Sequence, residues 1–377
     1  DIEFTDALVK EFGCRCVIVG PYASIDPEKT LQKSQEVKFL IAGEFEVPTA
    51  HLIGGTSPEA VPNLLWKNGE RITRNSVRPS LTTEELDRIP FLSRFFRKHL
   101  DPRKYRSVSE PFPFLDILTG RGCQWGLCSY CLWVHSYTKG PCYNHRSVES
   151  VIEELRFISE EMPSVKSVML QDDTMPEEWA AQLCEAKIRA GITLRWSCYA
   201  RAHLSAEVLK LMKRANCLNL HVGFESGNGE ILKRIKKGIS KERMTRFAAD
   251  AKRAGLKIHG DFAIGFPGET RESIEETVRW ACEIRPHTAQ FQLIIPFPGT
   301  PLFDELASQG HIKDGLPDYP GLSSQEMEAA AKKAYRRFYF RLPFMGQALM
   351  HPWENVLSKM SVYYRALPSV LWRRYVR

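Results

Sequence analysis

From Phe114 to Thr300 the chain repeats one pattern. A short apolar run closed by glycine or charge is followed by about 10–15 residues with apolar positions three and four apart. The apolar runs are FLDILTG (114–120), SVMLQDD (167–173), TLRWSCYA (193–200), CLNLHVGFES (217–226), KIHGDFAIGFPGE (257–269) and TAQFQLIIPFPGT (288–300). Each predicts a buried strand. The segments 147–160, 176–190, 205–215, 241–254 and 271–285 predict amphipathic helices, with Ser147 and Ser240 as N-caps. Six strand–helix units in a row predict an α/β fold, a parallel sheet rolled into a partial (β/α)6 TIM-like barrel. In such folds the chemistry lies at the C-terminal ends of the strands.

Upstream the pattern is shorter but similar. CRCVIVG (14–20) and VKFLIAGE (37–44) predict strands, with helices over EKTLQKSQ and around Val47–Ile53. This alternation predicts a doubly wound parallel sheet. LLWKNGERITRN predicts a hairpin turning at Asn68–Gly69. Residues 76–112 are rich in proline and charge and predict a linker. Residues 325–377 predict a helical, aromatic-rich tail. The expected units are therefore 1–75, 76–112, 113–302 and 303–377. The chain opens at Asp1 inside a helical pattern, so it is expected to be a fragment whose natural start lies upstream.

Composition adds little until it is divided. Hydrophobic residues at 43% and charged residues at 26% are those of an ordinary globular protein. No apolar run reaches the length of a membrane span. Ten cysteines in 377 residues are too few for a disulfide-stapled domain, and a reducing cytoplasm is the expected compartment. The net charge is +7, yet residues 331–377 hold ten Lys or Arg and one acidic residue, Glu354. The rest of the chain is slightly acidic, so the basic character belongs to the tail, and no nucleic-acid partner is expected. The tail pairs arginine with aromatics, as in YYRALPSVLWRRYVR, which suits either packing on the barrel or contact with an anionic membrane.

Three of the cysteines, Cys123, Cys128 and Cys131, crowd into nine residues directly after the first barrel strand. Three thiolates on one loop can chelate metal, and Gly120, Gly122 and Gly126 let that loop wrap a bulky object. One reading is a structural zinc site completed by Cys142, His135 or His145, but zinc sites usually bring two paired elements and only one CxxC is present. The other is an iron–sulfur cluster that keeps one iron open.

Taken with the strand-end motifs, this segment resembles the radical SAM superfamily over about residues 114–302. The family's common spacing is CxxxCxxC; here it is Cys123-x4-Cys128-x2-Cys131, one residue longer. The resemblance implies a 4Fe–4S cluster on these three cysteines. Its open iron would bind S-adenosylmethionine (SAM), whose reductive cleavage makes a 5′-deoxyadenosyl radical that abstracts hydrogen from an unactivated carbon. QDDTM (171–175) matches the segment that binds the methionine amino group, through Asp172 or Asp173. Arg201 in CYARAH matches the arginine that pairs with the methionine carboxylate. Glu225 in GFESGN matches an acidic SAM contact, and Gly265 in AIGFPGET matches the turn beside adenine. Tyr130, between the last two cysteines, is also placed beside SAM.

VGPYAS (19–24) and IAGEFE (41–46) resemble the second half of a Rossmann-like cobalamin-binding domain, which precedes the barrel in one large class of the family. Gly20, Ser24 and Gly43 are then the expected cobalamin contacts. No Asp-x-His-x-x-Gly occurs in the chain, so no histidine ligand to cobalt is indicated. CLW after the last cysteine and FYFRLPF in the tail resemble the lipid-directed, hopanoid-tailoring subgroup. The implied outcome is C-methylation, rearrangement or cyclisation of a lipid-like or tetrapyrrole-like substrate, with flavodoxin or ferredoxin as electron donor. The alternatives are a tRNA methylthiotransferase of the same superfamily and a zinc-binding structural protein.

Overall fold

The computed structural model describes residues 2–344 except 70, 79, 106, 108, 109 and 343. Most of the basic aromatic tail, and with it the expected membrane contact, lies outside the described residues.

The front unit begins with α1 (Ile2–Phe12), β1 (Val17–Ile18), α2 (Pro21–Ile25), α3 (Pro27–Lys33), β2 (Phe39–Ile41) and α4 (Glu46–Ile53). It ends in the predicted hairpin, β3 (Leu64–Asn68) and β4 (Arg71–Arg74), paired antiparallel across Asn68 and Arg71. Successive strand residues point to opposite faces, so Leu40 and Leu65 join Leu31 on one side while Ile41, Leu64 and Trp66 pack with Val61 on the other. The sheet is not all parallel as expected. Only β1 and β2 run parallel, and β3 is antiparallel to β2. Helix α4 fully buries only Pro48, so it is not the packed crossover that a parallel return requires.

The segment expected to be a linker carries two helices, α5 (Thr83–Arg88) and α6 (Leu92–His99). Thr82 and Glu85 form a capping box on α5. Both helices dock on the barrel: Asp87 accepts the Ser147 N–H at 2.9 Å, and Ser93 donates its hydroxyl to Glu154 at 2.8 Å. Helices of two turns are too short for their periodicity to rise above the proline and charge around them.

The second unit opens with β5 (Phe114–Ile117). A two-residue pair follows, β6 (Gly120–Arg121) with β7 (Asn144–His145), and between them lies α7 (Leu132–Ser136). Then come α8 (Val148–Glu161), β8 (Ser167–Leu170), α9 (Glu177–Arg189), β9 (Arg195–Tyr199), α10 (Ala206–Arg214), β10 (Cys217–Glu225), α11 (Gly229–Arg234), α12 (Lys241–Arg253), β11 (Lys257–Ile264), α13 (Arg271–Ile284) and β12 (Thr288–Leu293). The chain continues through α14 (Pro301–Ser308) to α15 (Ser324–Tyr339). The sheet order is β12-β11-β10-β9-β8-β5, and every neighbouring pair is parallel. All six predicted strands and all five predicted helices are present, and together they form the expected TIM-like part-barrel.

Alternation along the strands divides the sheet cleanly. In β10, Leu220, Val222 and Phe224 face the helices and are fully buried, whereas Asn219, His221 and Glu225 face the other way. The helix-facing side forms one continuous core with residues such as Leu155, Leu183, Leu209, Phe247 and Trp280. Edge strand β12 is closed by α15: Tyr339 accepts the Ala289 N–H at 3.0 Å and donates to its carbonyl at 2.9 Å. Among the described residues no helix is long and apolar enough to cross a membrane.

Candidate active site

The cysteine loop hangs between β6 and α7, above the C-terminal ends of β5 and β8. Its path depends on two glycines. Gly122 sits at φ 89°, and a Cβ there would lie 2.4 Å from the Cys142 carbonyl oxygen; Gly126 sits at φ 59°, with Pro141 N at 2.3 Å from the same added atom. Any side chain would push the loop off the 140–142 segment. The Cys142 N–H donates to the Cys123 carbonyl at 3.1 Å, so Cys142 holds the loop through its backbone.

The two aspartates after β8 divide the remaining work. Asp172 is fully buried. It accepts the Thr119 N–H at 2.8 Å, the Thr119 hydroxyl at 2.5 Å and the Tyr143 hydroxyl at 2.9 Å. Asp173 is exposed and accepts the Gly122 N–H at 2.7 Å. Burial raises the Asp172 carboxyl above the ordinary range, and its hydrogen bonds oppose the rise.

Across the loop stand Arg201, after β9, and Glu225, at the end of β10. Arg201 donates to the Lys237 carbonyl at 2.6 Å, lies over the Trp125 ring at 5.2 Å and brings Nη1 to 4.0 Å from Cys128 Sγ. Glu225 is held at φ 64°, beside a register shift in β10, a left-handed conformation that a non-glycine residue adopts only under constraint. Its carboxylate pairs with the Lys237 ammonium at 2.9 Å, and both side chains are nearly buried. Lys237 also reaches the Tyr130 hydroxyl at 3.4 Å. Burial first, and then the Glu225 charge, keep the Tyr130 phenol well above its usual pKa, so it stays protonated.

The thiols feel these charges. Burial raises Cys128, while Lys237 and Arg201 pull it back toward the thiolate. Burial also lifts Cys131 to about 11. Among the described residues no three Cys, His, Asp or Glu side chains gather tightly enough to hold one metal ion, and the cysteines form no disulfide. A cluster engages each thiolate through a different iron, so it suits a wider set of thiols than a single zinc does. Three uncommitted thiols on one loop, next to two cations, fit such a cluster.

Gly265, at the end of β11, donates its N–H to Glu269, and its carbonyl accepts the Tyr319 hydroxyl at 2.8 Å. In the front unit the Ser24 hydroxyl donates to the Gly20 carbonyl at 2.7 Å and accepts the Gly43 N–H at 2.8 Å, tying the ends of β1 and β2 together. A Cβ on Gly20 would meet nothing within 4 Å, so this strand end is open. Arg121 joins the two units, with Glu46 at 3.1 Å and Glu44 at 3.5 Å.

Lys237 escaped the sequence reading. Its only signal is the lysine pair in RIKKGIS, and a pair does not say which lysine is buried; the structure exposes Lys236 and buries Lys237.

Residues 117–281 match the model of the radical SAM superfamily. Residues 117–281 are therefore a radical SAM domain, and the relatives support an enzyme of this type. It is 28% identical over 372 residues to an uncharacterized methyltransferase of Pyrococcus horikoshii, covering 93% of this chain and 79% of the relative. Among solved structures it resembles the radical SAM methyltransferase TsrM from Kitasatospora setae, with cobalamin and a [4Fe-4S] cluster bound: the TM-score is 0.63 at 18% identity, over 82% of this chain and 63% of that one. The similarity to the tRNA-2-methylthio-N(6)-dimethylallyladenosine synthase of Trichlorobacter lovleyi, 38% identical, covers only 25% of this chain and 22% of that enzyme.

Proposed function

We propose that the chain is a cobalamin-dependent radical SAM enzyme that methylates a carbon centre. The observation that carries this reading is the meeting of Cys128, one of three thiols on the loop, with Arg201 and Glu225 at the C-terminal ends of adjacent parallel strands and with Lys237 beside them. Bound there, a 4Fe–4S cluster supplies the electron that cleaves SAM, and cobalamin supplies the methyl group. Cys123, Cys128 and Cys131 would hold the cluster, with Arg201 and Lys237 offsetting thiolate charge.

Asp173 and Glu225 are the carboxylates for the SAM ammonium, and Arg201 is the partner for its carboxylate. Asp172 is already taken by Thr119 and Tyr143 and serves to fix the loop. Tyr130 remains a hydroxyl donor at the edge of this clamp, and the Gly265 turn is the place for adenine. Gly20 and Gly43 offer backbone groups to cobalamin at the open end of the front sheet, with Ser24 fixing their spacing. The polar inner face of the barrel speaks against an all-hydrocarbon lipid substrate. An acidic one-electron carrier of the flavodoxin or ferredoxin kind fits the exposed Lys233 and Arg234 of α11 and Lys236 just after it, beside the loop.

The test is anaerobic reconstitution of the full chain with iron and sulfide, followed by iron, zinc and cobalamin analysis. Roughly four irons per chain with cluster absorbance are expected. A colourless protein retaining only zinc would sink the reading.

A further inference from the structure

The inner face of the barrel sheet, below the SAM clamp, holds polar groups that the proposed chemistry does not use. Tyr199, His221, His259 and Thr288 lie side by side in register on β9, β10, β11 and β12. The His221 ring lies 5.2 Å from Tyr199 and 4.9 Å from His259. His259 Nδ1 bonds Thr288 at 2.7 Å, and its Nε2 is 3.4 Å from Asp261.

The floor comes from outside the sheet. Glu110 enters from the segment before β5 and accepts the Ser197 hydroxyl at 2.8 Å on one oxygen. Its other oxygen, Oε1, is buried and makes no hydrogen bond. His221 Nε2 lies 3.5 Å from it, and that nitrogen also makes no hydrogen bond. The Glu110 side chain is only 2% exposed. A buried carboxylate oxygen without a donor costs free energy unless something fills the place. Asp116, bonded to Gln171 at 2.8 Å, adds a third carboxylate to this face. Burial first, and then the charges of Asp261, Asp116 and Glu110, raise the Tyr199 phenol.

We infer that this face is the substrate-anchoring site and that it receives a cationic nitrogen, an ammonium or amidinium group, between Glu110 and Asp261 against the rings of Tyr199, His221 and His259. Carboxylates supply charge-assisted hydrogen bonds, and aromatic faces favour a cation over a neutral group. His221 lies four residues before Glu225 on β10, about 13 Å down the strand. The substrate is then an extended molecule with its nitrogen at the floor and its reacting carbon on the order of 10 Å above, near the clamp. This rests on the radical SAM reading for what the clamp does, but not for what the floor binds.

The experiment uses the full chain with its cluster reconstituted and ligand-observed NMR with benzylamine, benzyl alcohol and benzoate. Benzylamine is expected to bind about tenfold or more tightly than benzyl alcohol, and benzoate least. Glu110→Gln and Asp261→Asn should each weaken benzylamine about tenfold and leave benzyl alcohol unchanged, with circular dichroism and cluster absorbance intact. Asp261 is a quarter exposed, so its variant keeps the test alive if the Glu110 variant does not fold. Amine and alcohol binding alike, neither binding, or variants that hold the amine as the parent does would each overturn the inference. Cluster absorbance reports on the radical SAM reading separately. Amine selectivity without a cluster would leave the floor site standing and remove the proposed function.

Discussion

The two larger sheets of this molecule end in different kinds of group. The front sheet has strands of two to five residues and two small cores, and Gly20 and Gly43 mark the ends of β1 and β2. The barrel sheet has strands of four to nine residues over one large core, and Asp173, Arg201 and Glu225 stand beyond or at the ends of three of them. A sheet that presents glycine offers backbone to a large ligand that needs close approach. A sheet that presents buried charge offers an electrostatic site, and only a large rigid core can hold such charges in place against their cost of desolvation.

The sharpest break of that comparison is Cys128→Ala. It should abolish the cluster and all activity while the fold survives, measured as iron content and cluster absorbance beside circular dichroism. Any cobalamin that the front unit holds, as proposed, should be retained. If iron stays bound, the barrel site is misassigned.

Next is the buried pair at the clamp. Lys237→Met leaves the Glu225 carboxylate without its cation and should cost about 3–5 kcal/mol of stability. The double variant Lys237→Met with Glu225→Gln should regain most of that in denaturant melts yet still bind SAM about 30-fold or more weakly. If SAM binding recovers with stability, the pair is structural and not part of the clamp.

A third effect depends on pH. Burial raises Glu269 from 4.5 to about 7 in the folded chain, although the Gly265 and Phe266 N–H groups oppose the rise. An acid with a raised folded pKa favours the fold while it is protonated. That contribution is complete below about pH 4.5 and is lost as pH rises through about 7. Glu269→Gln should abolish this dependence, so the stability difference between variant and parent should change by about 3 kcal/mol between pH 4.5 and 8. A constant difference across that range would show that Glu269 does not titrate in it.

The smallest effect tests the junction. Arg121→Met removes the contact to Glu44 and Glu46 and should cost about 1–2 kcal/mol, since the guanidinium is about one-fifth exposed. Limited proteolysis should cut the front unit sooner, with SAM affinity unchanged. Equal loss of SAM affinity would mean that the two units are not separable.

Period and spacing were enough for the barrel. Strands of four to nine residues that alternate with two- to four-turn helices leave a hydrophobic signal at every cycle, and the cysteines are local in sequence. The same logic failed for α5 and α6, too short to show a period, and for β3, whose direction depends on where α4 packs. Asp172 and Asp173 are neighbours in sequence with opposite fates, because the strand end turns one side chain inward onto Thr119 and Tyr143 and leaves the other exposed beside Gly122. That distinction needs backbone direction, which residue type does not carry.

By itself, the sequence determined that the chain forms a six-stranded α/β part-barrel with three thiols after its first strand. These are local properties: apolar periodicity selects the element, and a nine-residue segment carries its own ligand spacing. The tertiary structure alone decided that Lys237 rather than Lys236 joins Glu225, that Arg201 meets Cys128, and that Glu110 reaches His221. The last pair is separated by 111 positions, and only parallel register and a returning linker bring the two together. Contacts of that kind depend on loop closure and packing, so no window of the sequence contains them.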